Sequence, residues 1–201
     1  MKSLRLISLF LFFALSALNA QEKAREIGIT LFGGGFSATS EIIAEDLGLF
    51  GEATAKHVSA TAFGAHVTNW VSPNIGVEST VAFTPSAVEV SGLGLEEQIS
   101  AGLFFSSIKF LVGGGTSSRF HLGFGIGLVT SSYDEFLGGD THLTGALGAA
   151  VSIPIGKSIA LRLGVDNNIH TVFWEFDGVE SESKLQNDLV FGLGLTVRNT
   201  Y

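Results

Sequence analysis

Large apolar residues recur at every second position along most of this chain, and that alternation restricts the fold more than any other feature. Ile75, Val77, Ser79, Val81 and Phe83 share one face, with Gly76, Glu78, Thr80, Ala82 and then Thr84 on the other. Phe120, Leu122, Phe124, Ile126 and Leu128 oppose His121, Gly123, Gly125 and Gly127. Leu143, Leu147, Val151 and Ile153 oppose Thr144, Ala146, Gly148, Ala150 and Ser152. Ile159, Leu161, Leu163 and Val165 oppose Ala160, Arg162, Gly164 and Asp166, and Leu189 to Val197 repeats the scheme against Asp188 to Arg198. A period of two sustained over such lengths specifies β-strands and rules out amphipathic helices. Ile27–Ser37, His57–Asn69 and Gln98–Val112 alternate less cleanly, as they would around a bulge. With these three the count is eight strands.

The chemistry of the two faces decides the environment. A soluble sandwich turns its large apolar face inward and carries Lys and Glu on the wet face. Here the second face is mostly Gly, Ala, Thr and Ser, and charged residues make up only 15% of the chain. A transmembrane barrel reverses the arrangement, with large apolar residues toward lipid and small or polar ones toward the lumen. Eight strands enclose a space just wide enough for side chains to fill. The fold expected is therefore all-β, an eight-stranded antiparallel up-and-down transmembrane β-barrel, with a soluble secreted barrel or sandwich as the alternative. Phe120, Leu122, Phe124, Ile126, Leu161, Leu163, Leu193 and Leu195 are expected to face lipid. Glu78, Arg162, Arg198, Asp166 and Asp188 are expected inside as a charge network. Glu78, Arg162 and Arg198 fall at similar heights when counted from the strand ends, which predicts that they meet across the lumen.

Residues 1–20 read as a secretory signal peptide: Lys2 and Arg5, an uncharged run from Leu6 to Leu18, then Ala20 before Gln21-Glu22-Lys23. The run is short for a spanning helix, which needs about 20 residues; a retained anchor is the alternative reading. Residues 21–201 form the barrel domain. Net charge is −8, which opposes nucleic acid as a partner, since phosphate binding needs a basic footprint. No cysteine is present, which removes disulfides, thiolate metal sites and cysteine nucleophiles.

Connections alternate in length. Val71–Pro73, Gly113–Ser118 and Pro154–Ser158 are short. Ala38–Lys56, Pro85–Glu97, Ser131–Asp140 and Glu175–Lys184 are long and hold 14 of the 19 acidic residues against Lys56 and Lys184. Small outer-membrane barrels have short periplasmic turns and longer extracellular loops, so the outer surface should be negative and open to an extracellular ligand. Calcium or magnesium could bridge its carboxylates to lipopolysaccharide phosphates, although no spacing matches a calcium loop. Glu41–Phe50 is unusually apolar for a loop and predicts either a short helix over the mouth or an extension of the flanking strands. Trp70 and Tyr201 at one boundary, and Phe83, Tyr133, Phe136, Phe173 and Trp174 at the other, are expected to form aromatic girdles.

The leading segment, the eight alternating stretches and the final strand together resemble the small eight-stranded outer-membrane β-barrel family of the OmpA-barrel and OmpX type. Leu193, Leu195, Val197, Asn199 and Tyr201 share a face and end in an aromatic residue. That is similar to the family's terminal signal for the barrel-assembly machinery, from which Asn199 departs in polarity. The resemblance implies outer-membrane lipid and lipopolysaccharide as surroundings, a bacterial outer-membrane location and no cofactor. No peptidoglycan-binding domain is expected.

Candidate chemistry is sparse. His57-Val58-Ser59 has the His-x-Ser spacing of lipid A deacylases, where a hydroxyl and its base share a strand face, but it falls on the second strand. His142 and His170, paired with Asp140 or Asp166, could hold a metal or assist acyl transfer, with nothing diagnostic in their spacing. Gly33-Gly34-Gly35 and Gly113-Gly114-Gly115 lack the helix and lysine of a phosphate loop. The function expected is structural or interactive: envelope integrity, adhesion or display of surface loops. A small passive channel is the alternative, followed by a lipid-A-modifying enzyme.

Overall fold

The computed structural model describes residues 26–41, 43–46, 52–92, 95–114, 118–133, 139–172, 175–176, 179–180 and 184–200. Its strands are β1 (Glu26–Ala38), β2 (Ile43–Asp46), β3 (Glu52–His57), β4 (Ala60–Trp70), β5 (Ile75–Gly92), β6 (Leu95–Gly114), β7 (Arg119–Tyr133), β8 (Gly139–Pro154), β9 (Ile159–Val172), β10 (Glu175–Phe176), β11 (Val179–Glu180) and β12 (Lys184–Thr200). The main sheet closes on itself in the order β1-β4-β5-β6-β7-β8-β9-β12, each neighbour antiparallel, with β12 returning to β1 from Glu26↔Thr200 to Ala38↔Asp188. This is an eight-stranded up-and-down barrel, and closure leaves none of the eight wall strands without two neighbours.

The alternation fixes which face points where. Phe120, Leu122, Phe124 and Ile126 on β7 are exposed on the outside, as are Leu163 on β9 and Leu193 and Leu195 on β12; Leu161 is half-buried on the same face. Opposite these outward rows, the inward positions of β7, β8 and β12 are mostly small or polar, which suits the narrow lumen of eight strands.

The three unclear segments have separate causes. In β3 the pairing with β5 reads His57↔Val88, whereas in β4 it reads Phe63↔Phe83. One extra residue therefore sits on the β3–β4 side, a β-bulge around Val58–Ser59. It is held by Val58 N donating to Ala87 O at 2.8 Å and Ser86 Oγ donating to Val58 O at 2.6 Å. In β1 the alternation is regular but its sizes invert: Phe32 and Phe36 point inward while Gly33 and Gly35 face out. In β6 both faces carry large residues, with Leu103, Phe105, Lys109 and Leu111 inside.

Two of the long connections are shorter than the sequence suggests. β5 and β6 pair continuously to Gly92↔Leu95, so most of Pro85–Glu97 is strand. Strands of 18 and 20 residues exceed the ~9–11 that cross a membrane. Beyond Phe83 and Phe104 the outward positions lose their large apolar residues (Pro85, Ala87 and Glu89 on β5; Gly102, Ser100 and Gln98 on β6) without breaking the ladder, because composition does not interrupt backbone pairing. Ile43–Asp46, within the stretch open to either a helix or a strand, pairs with β3 as a hairpin.

Candidate functional site in the barrel lumen

The lumen holds a buried ionic network at the height where β4, β5, β6 and β9 face one another. Glu78 on β5 is its centre. Arg162 on β9 reaches across the barrel and donates from both terminal nitrogens, at 2.5 Å to Oε2 and 3.1 Å to Oε1. Lys109 Nζ on β6 lies 3.1 Å from Oε1, and Thr68 Oγ1 on β4 donates to Oε2 at 2.8 Å. Lys109 also donates to Asp166 on β9. Glu78 and Lys109 are each 1% exposed. Two carboxylates thus meet two cations, so the cluster is neutral, which is the condition for burying charge away from water.

Small residues make room for this network. A Cβ added at Gly148 on β8 would stand 2.5 Å from Asp166 Oδ1 and 3.1 Å from Lys109 Nζ. The pair therefore lies against bare backbone.

Toward the outer end, Phe32 caps the network. Its ring stacks on His66 at 4.6 Å between centroids and lies on Gly64 and Gly192, where a Cβ would fall 2.8 Å and 2.5 Å from it. His66 Nδ1 shares a 3.0 Å hydrogen bond with Thr80 Oγ1. Above Phe32 lies an apolar buried cluster of Phe36, Leu103, Phe105, Val129 and Val190. Toward the end that carries the short turns Trp70 is buried inside, with the Arg119 guanidinium 4.4 Å over its ring and Arg119 paired to Glu26 at 2.8 Å. The cavities that reach Arg162 measure about 10 and 20 Å³, space for a single water at most.

No protein-family model matches the sequence, and no curated protein matches it either. Solved structures do. Outer membrane protein OprG from Pseudomonas aeruginosa superposes with a TM-score of 0.65 at 14% identity, over 89% of this chain and 98% of that one. Outer membrane protein AlkL, solved in lipid bilayers, gives 0.59 at 16% identity over 89% and 92%. Outer membrane protein W of E. coli gives 0.52 at 18% identity over 89% and 100%. The fold is that of the small eight-stranded outer-membrane β-barrels. At these identities the likeness concerns architecture alone.

Within this barrel the structure distributes the expected site residues unevenly. Glu78 and Arg162 meet, and Asp166 joins them through Lys109. Arg198 does not. Its strand neighbours are Gly28 and, through its backbone N, Ser158, whereas Arg162 sits beside Gly194. The four-residue step from Gly194 to Arg198 is about 13 Å of strand, so counting from strand ends misses the stagger between β9 and β12. Among the described residues Arg198 has no recorded ion pair, and its Nε is buried without a partner.

Asp188 lies in the outer half, accepting from Gln186 Nε2 at 3.1 Å, with His170 Nε2 3.9 Å away. His170 faces Asp188 rather than Asp166, and stacks on His142 at 5.6 Å; His142 Nε2 is 3.3 Å from Asp140. Among the described residues no three such side chains are grouped to hold a metal ion. His57 is buried, stacked on Tyr133 at 6.2 Å, while Ser59 is exposed beyond the bulge. The bulge separates the two side chains that the His-x-Ser spacing would join.

Two girdle assignments need correction. Trp70 is 3% exposed and shares the inward face of Thr68 and His66. Tyr133 packs inward against Ala55, Val88 and Ala101. Nearness to a strand end does not fix facing, and strand alternation turns both into the lumen. Trp174, Phe136, Phe173 and Tyr201 lie outside the described residues.

Lys109 is the network member that sequence reasoning missed. The signal was available: it is the lone charge between Leu103 and Val112. A charge in a membrane-depth strand turns to the interior, and the β5–β6 register sets it beside Glu78.

Proposed function

We propose that the protein is a closed outer-membrane barrel acting through its outer surface, in adhesion, envelope integrity or presentation of a binding surface. The observation that carries this reading is the neutral Arg162–Glu78–Lys109–Asp166 bridge, buried across the full width of the lumen and capped by Phe32. A path for ions along the axis would have to break it. The long, acid-rich connections then lie outside the cell and the short turns in the periplasm. The apolar wall stands in lipid and lipopolysaccharide, and the last strand, β12, is the segment the assembly machinery reads. Residues 1–20 serve as the export signal. This reading assigns no chemistry to the barrel.

The test is one variant and two measurements. The unaltered protein should carry no steady current in a planar bilayer. Glu78→Ala strands Arg162 and Lys109 and should lower stability by roughly 3–5 kcal/mol, the usual result of halving a buried pair, while admitting current. A steady current through the unaltered protein would overturn the closed-barrel reading in favour of a passive channel.

A further inference from the structure

On the short-turn side of the Glu78 network the lumen holds more positive charge than it answers. A small cavity there is lined by Arg119, Arg162 and Arg198, with Glu26 as the carboxylate among its lining residues. Arg119 is paired to Glu26 and Arg162 to Glu78. Among the described residues no carboxylate pairs with Arg198, and its Nε is buried without a partner. One cation is therefore in excess around this space.

Neutral donors beside it are also unspent. His121 on β7 lines the same cavity, is 3% exposed, and has no hydrogen-bond partner on either ring nitrogen. Its ring meets Trp70 edge-on at 5.5 Å between centroids, while the Arg119 guanidinium covers the Trp70 face, so one indole holds both groups in place. Thr30 and Thr196 share a 2.7 Å hydrogen bond between their hydroxyls. One of the two hydroxyl protons makes that bond, and the other is left to donate.

Buried polar groups without partners are rare, and each calls for a water or an ion. A water would satisfy donors and leave the charge of Arg198 standing; an anion answers both. The cavity measures about 20 Å³, the room of one water. That admits a monatomic anion and excludes phosphate.

We propose that this cavity, bounded by Arg198, Arg119, His121 and the Thr30–Thr196 pair, binds a single chloride ion. The ion completes the charge balance of this end of the lumen and ties β12 and β1 to β7 across it. The site does not rest on the outer-surface reading above.

The experiment uses the full mature chain folded in a zwitterionic detergent, with sodium chloride as probe and sodium gluconate holding ionic strength constant. Chloride binding is read from the broadening of the chlorine-35 NMR line. The unaltered protein should broaden it saturably; bromide should reverse the broadening and phosphate should not. Arg198→Gln should weaken binding at least about tenfold, as expected when a charged hydrogen-bond partner is lost. His121→Phe, which keeps the edge contact with Trp70, should weaken it about fivefold, the usual worth of one hydrogen bond. Lys157→Gln removes a charge from an exposed turn at the same end and should leave binding unchanged. Boiling-dependent gel mobility confirms that each variant is folded, and His121→Phe keeps every charge should Arg198→Gln fail to fold. The urea midpoint of the unaltered protein should rise with chloride, since a ligand of the folded state stabilises it, and that of Arg198→Gln should not. Absence of saturable broadening would overturn the proposal, including the case in which a chain end fills the cavity itself. So would equal loss in Lys157→Gln, which would make the attraction diffuse charge, or displacement by phosphate, which would make the site larger than one monatomic ion.

Discussion

At the scale of single residues, the lumen depends on groups that tolerate little change because each is placed by another's absence of bulk. Gly148 is the clearest case. Its missing side chain lets Lys109 and Asp166 touch over the wall. Gly148→Ala should therefore push the pair apart and cost about 1–3 kcal/mol, the usual range for overpacking. Equilibrium unfolding in urea measures it, and Ala146→Gly on the same face serves as a reference for backbone flexibility. The charges were only partly legible before the structure. Glu78 and Arg162 could be assigned to one lumen because both interrupt clean apolar alternation. Lys109 is legible only as a lone charge, because its strand is apolar on both faces and the alternation that identifies an inward residue is hidden there. Arg198 was misjudged for a different reason: barrel stagger is a property of pairing between strands, and no single strand records it.

At the scale of elements, the outward row of β7 tests the assignment of faces. Phe120, Leu122, Phe124 and Ile126 are each more than half exposed, on a strand whose inward row is mostly glycine. Phe124→Arg should destabilise the folded barrel by roughly 2–4 kcal/mol if this position is near the bilayer midplane. Phe124→Leu, which stays apolar, should cost far less. Refolding yield into lipid vesicles checks both, and equal effects would place the row outside lipid. The strands most readable in the sequence were those with glycine or alanine opposite large residues, as in β7, β8 and β12. The unreadable ones carry the interior packing of the outer half. β1 contributes Phe32 and Phe36, and β6 contributes Leu103 and Phe105, so in these strands size no longer reports facing. The bulge in β3–β4 was visible as a slip, but its one-residue content shows only once the pairing with β5 is known.

At the scale of the whole molecule, eight paired strands and a filled interior make a stiff closed wall. The folded chain should resist detergent and run on a gel with a mobility that changes on boiling, alongside a β-rich circular dichroism spectrum. A helical spectrum, or full solubility without detergent, would contradict the transmembrane barrel. The bulge at Val58–Ser59 has a consequence for everything above it. Below it the even-numbered residues of β4 face inward, and above it the odd-numbered residues Ala55 and His57 do. The numbering parity of β3 relative to β4 is thus shifted by one residue. Deleting Ser59 leaves equal lengths of the two strands between the pairs His57↔Val88 and Phe63↔Phe83, so the ladder can run through unbroken with Ala55 and His57 still inward. Lys56, exposed now, should keep its reactivity toward an impermeant amine reagent after the deletion, and a loss of that reactivity would show that β3 had slid or turned.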